Sequence, residues 1–374
     1  MNLVTNSAFV SADGHVVEPA NLWLERMDAR FRDRAPRIDS RPDNDYYLID
    51  GLPPSPAGLE GVIVEEKISG KIERPLGQRV KNTRPGAWDP KARMADQELD
   101  NITAEVIYPG LFGLQFFNIE DAEYQRECMR VYNDWLSEFC AAAPQRLLGA
   151  GLLPFAGPVE WTIEEARRVA KKGLRTFLIP AEVRGRMYAA PEYEKLWSAL
   201  EELNLPVGTH AGTGTGEALS AKVKRLGLGM AVTESKIMQP MRALADLIWA
   251  GVPQRHPKLR FVIVEGGIGW IASLLRFMDH WWSDHRHWMQ PHLDESPGTY
   301  FRRQFWATFE DDRSGLLTRE LLGVDRLMWG SDYPHTEGTF PKSREQIEQD
   351  FAGIPQPEVR AMVANNAARL YGVG

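Results

Sequence analysis

Residues 174–210, LRTFLIPAEVRGRMYAAPEYEKLWSALEELNLPVGTH, contain two short apolar runs on either side of one amphipathic segment. The runs LRTFLIP (174–180) and PVGTH (206–210) are apolar at odd and even positions alike, which is typical of strands buried on both faces. Between them, PEYEKLWSALEELN (191–204) carries apolar residues three and four apart, which predicts a helix. This order predicts a parallel strand–helix–strand unit.

Apolar runs of the same kind recur along the whole chain of 374 residues. The eight runs are 8–13, 105–109, 147–154, 174–180, 206–210, 260–267, 304–310 and 325–332. Further helical patterns cover 123–140, 159–173 and 269–289. Eight strands alternating with helices over this length predict a closed α/β structure, the (β/α)8 TIM barrel. An open doubly wound sheet is the competing fold, but no glycine-rich phosphate-binding motif follows any of the runs.

Residues 20–95 are the irregular part of the pattern, since they are rich in Pro, Arg and Asp and have no long periodic segment. We interpret residues 1–374 as a single domain in which 20–95 form an insertion after the first strand, near the barrel mouth, with some hairpin content. A lid over the mouth and a dimer contact are both compatible with this insertion.

Composition excludes several classes of protein. A net charge of −7 provides no basic footprint for nucleic acid. No apolar stretch approaches the length of a membrane span, and the N-terminus has no signal-peptide pattern. Cys128 and Cys140 lie in one predicted helix, too far apart to form a disulfide, which fits a reducing compartment. The expected location is therefore the cytoplasm.

Ionisable residues end four of the predicted strands. Asp13 and His15 follow the first run, His210 the fifth, Glu265 the sixth and Asp332 the eighth. In a TIM barrel, functional side chains come from these C-terminal strand ends. Taken singly, an Asp there could cap a helix and a His could be a hydrogen-bonded core residue. Together, converging carboxylates and imidazoles need a compensating cation.

These residues predict a site for one divalent metal ion, Zn²⁺ or Mn²⁺. The four predicted ligands are Asp13, His15, His210 and Asp332. Asp332 is also the predicted general base, and Glu265 is expected to serve as a further ligand, a second base or an orienting group. His335 lies three residues beyond Asp332, where it is expected to reach the substrate or to orient Asp332.

Three longer stretches carry a family resemblance. They are GLRTFLIPAEVRGRMYAAPEYEKLWSALEELNLPVGTHAG (173–212), LGVDRLMWGSDYPHTEG (322–338) and NNAARLYG (365–372). They resemble the amidohydrolase-related family that includes aminocarboxymuconate semialdehyde decarboxylase. The resemblance implies a mononuclear metal site in which Asp13 and His15 hold the first-strand motif, with His210 and Asp332 at the later positions. It also implies a homodimer or higher homo-oligomer, because relatives often form dimers.

Two departures from the family pattern bear on the reaction. Asp13 stands where relatives commonly have His or Glu, which hardens the site, and Glu265 stands where the decarboxylases usually have a histidine. Three ionised carboxylates around a 2+ ion leave a local charge of about −1, which attracts a carboxylate substrate less. A protonated Glu265, or an arginine from the loop holding Arg184 and Arg186, would cancel this effect.

The sequence therefore favours a metal-dependent hydrolase acting through activated water on a small aromatic or conjugated substrate. The alternative is a nonoxidative decarboxylase, a carboxy-lyase of an aromatic or muconate-type acid, in which Asp332 protonates the ring carbon. A third hypothesis, a noncatalytic binding barrel, predicts no stoichiometric metal and tolerance of Asp332→Ala. A small-molecule substrate is the partner expected under the first two hypotheses.

Overall fold

The computed structural model describes residues 8–57, 79–183, 185 and 187–373 and contains a parallel barrel. The strands are β1 (Phe9–His15), β2 (Arg37–Ser40), β3 (Asp45–Leu48), β4 (Ser55–Pro56), β5 (Ile102–Tyr108), β6 (Leu147–Leu152), β7 (Thr176–Ile179), β8 (Val207–His210), β9 (Phe261–Val264), β10 (Phe305–Phe309) and β11 (Leu327–Trp329). Eight of them pair in the order β1-β5-β6-β7-β8-β9-β10-β11, and every pair in this sheet is parallel. Each of the eight predicted runs overlaps one of these strands, so the TIM-barrel prediction is confirmed.

The barrel closes where β1 meets the residues that follow β11. The backbone amide of His15 donates to the carbonyl of Tyr333 at 2.5 Å, and the amide of Asp332 donates to the carbonyl of Asp13 at 3.0 Å. Gly330 permits this approach, because a Cβ there would lie 2.4 Å from the Cβ of Asp13. We call this junction the seam.

Helices connect the strands and cover the outside of the barrel. The α-helices are Leu22–Arg26, Pro90–Leu99, Leu111–Gln115, Ala122–Ala141, Val159–Lys171, Glu194–Leu203, Leu219–Leu226, Leu228–Thr233, Gln239–Trp249, Val252–Arg255, Ile271–His285, Pro297–Gln304, Arg313–Leu317, Arg319–Leu322, Ser343–Asp350, Gln356–Arg360 and Asn366–Tyr371. Short 3₁₀ turns are Ala29–Arg34, Val80–Asn82, Pro85–Ala87, Phe116–Asn118, Pro191–Tyr193 and Val324–Arg326, and π-helical turns are Glu234–Met238 and Ala361–Asn365.

The helix Val159–Lys171 shows how the sequence pattern produces the packing. Its buried apolar residues include Val159, Ile163, Ala166 and Val169, three or four positions apart and therefore on one face. Burial of each larger side chain contributes about 1.5–3 kcal/mol to the free energy of folding. The sequence patterns over 123–140, 191–204 and 269–289 likewise fall on helices of the structure.

The described part of the insertion contains a small antiparallel sheet. Strands β2, β3 and β4 pair in that order. The hydroxyl of Ser220, in the helix that follows β8 on the mouth side, lies 3.5 Å from the carbonyl of Pro53. Residues 58–78 of the insertion lie outside the described residues. Its role as a lid or as a dimer contact stays a prediction.

Two expectations from composition can be compared with the structure. Cys128 and Cys140 form no disulfide, as predicted, and both are buried free thiols. Within the described residues, no helix is both long enough and apolar enough to span a membrane. The helix Ile271–His285 leaves Phe277 and Trp281 largely exposed. The homodimer stays a prediction.

Asp100 provides a test of the packing through pH. It is buried and accepts a hydrogen bond from the amide of Ser343 at 3.0 Å. Burial raises the pKa of Asp100 to about 7, so the protonated form is favoured in the folded state. Its contribution to stability is therefore complete below about pH 4 and is lost as the pH rises to about 7.

Asp100→Asn is expected to flatten this dependence. Between pH 5 and 7, the stability of the variant should rise relative to the wild type by up to about 1.4 kcal/mol per pH unit. Urea unfolding at several pH values measures the difference. Asp33→Asn, at an exposed position, is the control and should give a curve parallel to the wild type. Parallel curves for Asp100→Asn as well would contradict the prediction.

Candidate metal centre

The barrel brings the strand-end residues together at one buried point. Asp13 and His15 lie at the C-terminal end of β1, and His210 ends β8. Glu265 directly follows β9, and Asp332 follows β11 after a short extension. All five side chains are at most 5 % exposed. We call these five residues the metal cluster.

The ligand atoms of the metal cluster face one another. His15 Nε2 lies 3.2 Å from Asp332 Oδ1 and 3.6 Å from Asp13 Oδ1. His210 Nε2 lies 3.1 Å from Glu265 Oε2 and 3.7 Å from Asp13 Oδ1. The two imidazole rings are nearly perpendicular, at 89°, with centroids 4.9 Å apart. Two imidazole nitrogens and three carboxylates thus converge on a small volume.

Backbone carbonyls fix the orientation of both imidazoles. His15 Nδ1 lies 2.8 Å from the carbonyl oxygen of Pro109, and His210 Nδ1 lies 2.8 Å from the carbonyl oxygen of Ala211. A carbonyl oxygen can only accept, so in each ring Nδ1 is the donor and Nε2 faces the cluster, where it can bind either a proton or a metal ion. This is the tautomer that a metal-ligating histidine requires.

The residues fit a divalent cation. The buried atoms Asp13 Oδ1, His15 Nε2, His210 Nε2 and Asp332 Oδ2 have no hydrogen-bond partner within the described residues. Leaving so many buried acceptors unpaired is costly, and a cation that contacts them all would compensate. Two overlapping groups of side chains, which share His15, therefore could hold such an ion: Asp13, His15 and His210, and His15, Glu265, Asp332 and His335.

Glu265 and Asp332 both adopt left-handed backbone conformations. Their φ angles are 57° and 53°, a region that residues other than glycine rarely occupy. Strained conformations of this kind persist where surrounding structure enforces them, and they concentrate at functional sites. In both residues the strain turns the side chain after a strand end toward the cluster.

The charges around the metal cluster shift its titration. Burial raises the pKa of Asp332 to about 7, and the neighbouring Glu265 carboxylate adds to this effect. Burial alone would lower the pKa of His210, but Glu265 and Asp13 raise it to about 9. Both shifts report a concentration of negative charge that attracts either protons or a metal cation.

Lys236 is a functional neighbour that sequence reasoning missed. Its Nζ lies 2.5 Å from Glu265 Oε1 and 2.8 Å from Glu337 Oε1. Although burial opposes ionisation, Lys236 and His210 hold the pKa of Glu265 well below its usual range. Glu265 is therefore an anion between two partners. Its Oε2 faces His210 in the cluster, and its Oε1 contacts the ammonium group of Lys236.

The backbone around Lys236 is built for this contact. Lys236 lies in the π-helical turn Glu234–Met238, and such turns are frequent at functional sites. Gly266 lets the same helical segment pack against the end of β9, because a Cβ there would lie 2.9 Å from the Cβ of Pro240. A π turn has no signature in hydrophobic periodicity, so the sequence offered no signal for Lys236.

Glu310 was missed as well, although a signal existed. It directly follows β10, which is the position that drew attention to Glu265. Burial, together with the negative charge of Asp332, raises the pKa of Glu310 well above its usual range. Glu310 is therefore a further carboxyl group at the C-terminal ends of the strands.

His335 lies against both Asp332 and His15. Its Nδ1 lies 2.8 Å from Asp332 Oδ1, and its ring stacks on that of His15 with centroids 4.0 Å apart. It also lines a cavity beside the cluster. Both predicted alternatives, contact with substrate and orientation of Asp332, are compatible with this position. Arg184 and Arg186 lie outside the described residues.

Beneath the metal cluster, Arg93 joins the first and last strands. This fully buried guanidinium donates to the carbonyl of His15 at 2.7 Å and to Glu105 Oε2 at 2.8 Å. It also lies over the ring of Tyr333, 4.2 Å from the centroid. Arg93 thus holds the backbone of a predicted ligand on one side of the seam and the neighbour of another on the opposite side.

Arg93→Met is expected to destabilise the protein by about 3–5 kcal/mol, because the Glu105 carboxylate would remain buried without a neutralising charge. It should also weaken binding of Mn²⁺ about 10–100-fold, through the lost support of His15. Urea unfolding and calorimetric titration measure the two effects. Arg126→Met removes a partly exposed ion pair with Glu164 and should change stability by at most about 1 kcal/mol. Equal effects of the two variants would contradict the role of Arg93.

A parallel barrel with imidazole and carboxylate side chains at the C-terminal ends of its strands is typical of metal-dependent TIM-barrel enzymes. The family model described as amidohydrolase matches residues 15–373. The chain therefore belongs to the amidohydrolase family, and the resemblance found in the sequence is confirmed.

Two of the curated proteins that this chain resembles are named as decarboxylases. Gamma-resorcylate decarboxylase of Rhodococcus jostii is 27% identical over 323 residues, which cover 77% of this chain and 92% of the relative. The 2-amino-3-carboxymuconate-6-semialdehyde decarboxylase of Dictyostelium discoideum is 23% identical over 296 residues, covering 76% of this chain and 77% of the relative.

Solved structures share the fold. An amidohydrolase from Mycobacterium avium subsp. paratuberculosis superposes with a TM-score of 0.78 at 22% identity, covering 98% of this chain and 100% of the other. A 5-carboxyvanillate decarboxylase from Novosphingobium aromaticivorans, with bound manganese and a nitrobenzoic acid, has a TM-score of 0.70 at 16% identity and 98% coverage of each chain. At these identities the likeness concerns the fold.

Proposed function

We propose that this protein is a metal-dependent, nonoxidative decarboxylase of a small hydroxylated aromatic or conjugated acid. The contact between Lys236 and Glu265 carries the proposal. The sequence favoured hydrolysis because Glu265 added a negative charge, so that the site would attract a carboxylate substrate less. Lys236 supplies a cancelling cation, the role that the sequence suggested for a loop arginine, and it brings the formal charge of the loaded cluster from about −1 to about zero.

The relatives support this choice. Both curated relatives are named as decarboxylases, and one acts on a hydroxybenzoate by its name. The decarboxylase alternative is therefore favoured over the hydrolase that the sequence analysis ranked first. A structural neighbour with bound manganese and a substituted benzoic acid supports the same substrate class.

The residues proposed to hold the metal are Asp13, His15, His210 and Asp332. A mixed set of imidazole and carboxylate ligands suits Zn²⁺ or Mn²⁺, and the manganese of the neighbouring structure makes Mn²⁺ the first ion to test. A bound divalent ion supplies positive charge that fixes and polarises substrate oxygen atoms.

Asp332 is the proposed proton carrier. Asp332 is fully buried in contact with His335, which lines the cavity beside the cluster, so its carboxylate can take up a proton and pass it to a substrate there. In decarboxylation the bond between ring carbon and carboxylate breaks, CO₂ leaves, and the electron pair remains on the ring carbon. Asp332 delivers the proton that forms the new C–H bond, while His335, 2.8 Å away, orients its carboxyl group.

A cavity of about 130 Å³ beside Glu265, Lys236 and His335 provides room for the substrate. Its other walls include the aliphatic side chains of Leu111, Leu114, Leu219 and Val232. An apolar wall opposite a polar one is the usual arrangement of a small-molecule site.

A metal-dependent hydrolase remains the second candidate, and one observation favours it. Glu265 is held as an anion with Oε2 3.1 Å from His210 Nε2, so it is placed to accept a proton from a water molecule at the cluster. This function would suit a neutral aromatic or conjugated substrate better than an acid.

One experiment separates the two functions. Protein reloaded with Mn²⁺ is incubated with a panel of hydroxybenzoates and with a panel of aryl amides, esters and lactones. We expect CO₂ release and the matching phenol from at least one acid, with Asp332→Asn as the inactive control. Products that gain water without CO₂ release would overturn the decarboxylase and establish the hydrolase.

A further inference from the structure

Glu18 is a buried carboxylate just beyond the end of β1 that is not among the proposed metal ligands. The residue is 1% exposed. Its Oε1 accepts hydrogen bonds from the backbone amides of Gly110 at 3.0 Å and Gly113 at 3.3 Å. Removing a carboxylate from water is costly even when amides bind it, so a glutamate here needs a reason beyond filling space.

The amides that bind Glu18 belong to the turn 109–113, which also orients His15. Strands β1 and β5 pair in parallel as far as His15 and Tyr108. The next residue, Pro109, presents its carbonyl oxygen to His15 Nδ1 at 2.8 Å. Gly110 then donates its amide to Glu18. Two consecutive residues of the turn are therefore held by side chains that lie at or just after the end of β1.

Gly113 shows how closely this contact is fitted. A Cβ at residue 113 would lie 2.3 Å from the Cβ of Pro109 and 3.1 Å from Glu18 Oε1. Both distances are shorter than an ordinary van der Waals contact. The turn can therefore approach Glu18 this closely because residue 113 has no side chain.

His15 is thus supported through both its backbone and its ring. Arg93 donates to its backbone carbonyl, and the carbonyl of Pro109 accepts from its Nδ1. Such outer partners fix the orientation of a ligating histidine, and their loss typically costs about 10–100-fold in metal affinity. The Pro109 carbonyl can serve in this way only while the turn that carries it stays in place.

We propose that Glu18 is a positioning residue of the metal centre. It holds the turn 109–113 so that the Pro109 carbonyl keeps His15 Nε2 directed at the metal ion, and it thereby sets the metal affinity. Glu18 acts through the turn and not as a ligand. The inference rests on the metal-binding part of the proposed function and is independent of the reaction.

Titration calorimetry of the full-length protein with Mn²⁺ tests this role. Glu18→Leu should weaken Mn²⁺ binding about 10–100-fold, because the two amides lose their acceptor and the turn no longer holds His15 in place. Glu18→Gln keeps a side-chain oxygen acceptor and should stay within about threefold of the wild type. An unchanged affinity in Glu18→Leu, or an equal loss in both variants, would overturn the inference.

Glu127→Leu makes the same exchange at a second buried glutamate and controls for loss of stability. Glu127 lies in the helix Ala122–Ala141, is 9% exposed, and its Oε1 accepts the backbone amide of Asp28 at 2.8 Å. Thermal unfolding of the metal-free proteins should show a lower Tm for both Leu variants, whereas Mn²⁺ affinity should fall only in Glu18→Leu. A similar loss of affinity in Glu127→Leu would attribute the effect to stability and contradict the role of Glu18.

Gly113→Ala tests the same contact from its other partner, including the case in which Glu18→Leu does not fold. The added Cβ would displace Pro109, so Mn²⁺ binding should weaken about 10-fold although Glu18 is intact. Wild-type affinity in this variant would contradict the inference. If the affinities follow the expected order but no acid is decarboxylated, the proposed reaction fails and the role of Glu18 stands. If the wild type decarboxylates an acid and Glu18→Leu binds Mn²⁺ normally, the role of Glu18 alone fails.

Discussion

Asp332→Asn is expected to lower kcat/KM for decarboxylation at least about 1,000-fold, the upper part of the range for loss of a positioned acid–base group. The variant removes the group whose buried carboxyl holds the transferable proton, and it weakens one of the four proposed ligands at the same time. An amide has nearly the shape of the carboxyl group, so the barrel should fold normally. Activity is followed by CO₂ release and metal content by elemental analysis.

Asp325→Asn is the control for this variant. Asp325 stands just before β11, and its side chain is 57 % exposed, so its exchange should leave kcat/KM within about twofold of the wild type. Comparison at saturating Mn²⁺ separates the lost proton carrier from weakened metal binding. If Asp332→Asn retains more than a tenth of the wild-type activity when fully loaded with metal, Asp332 is not the proton carrier.

His210→Ala is expected to weaken Mn²⁺ binding at least about 100-fold, since it removes a ligand outright and even supporting residues are worth 10–100-fold. In the wild type, saturating Mn²⁺ should raise the melting temperature, because an ion at 100 times its Kd stabilises the folded state by about 2.7 kcal/mol. At the same Mn²⁺ concentration, His210→Ala should show little of this rise. Titration calorimetry and thermal unfolding with and without Mn²⁺ provide the two measurements.

His292→Ala is the matched control, because the His292 side chain is 55 % exposed and its Nε2 lies 3.5 Å from Asp294 Oδ1, in an ion pair at the protein surface. It should bind Mn²⁺ like the wild type. A wild-type protein whose melting temperature does not respond to Mn²⁺ or Zn²⁺, or a His210→Ala protein with unchanged metal affinity, would contradict the metal centre.

The barrel could be predicted because two-sided burial leaves a plain mark in the sequence. A strand such as Phe261–Val264 has no solvent-facing side, so it appears as a continuous apolar run that the first polar residue, Glu265, brings to an end. The same rule gives the direction of each strand, and hence the edge at which the ionisable residues meet. Fold and candidate ligands followed from this one pattern.

The electrostatic balance of the site could not be predicted in the same way. Lys236 contacts Glu265 from within a π turn, and Gly266 allows the same helical segment to pack closely against the end of β9. Neither effect changes the spacing of apolar residues. The net charge near Glu265 decides whether the site favours an acid or a neutral substrate. Because the sequence does not reveal the contact with Lys236, it favoured the hydrolase over the decarboxylase.

The seam has a consequence for when the metal site forms during folding. Ser11 and Ser331, 320 positions apart, lie 3.2 Å from each other across it, next to Asp13 and Asp332. Two of the proposed ligands thus come from opposite sides of the seam. A chain in which the other strands have paired but β1 and β11 have not does not have a complete metal site. Metal affinity therefore reports whether the barrel has closed, and a bound cation would in turn stabilise the pairing of the first strand with the last.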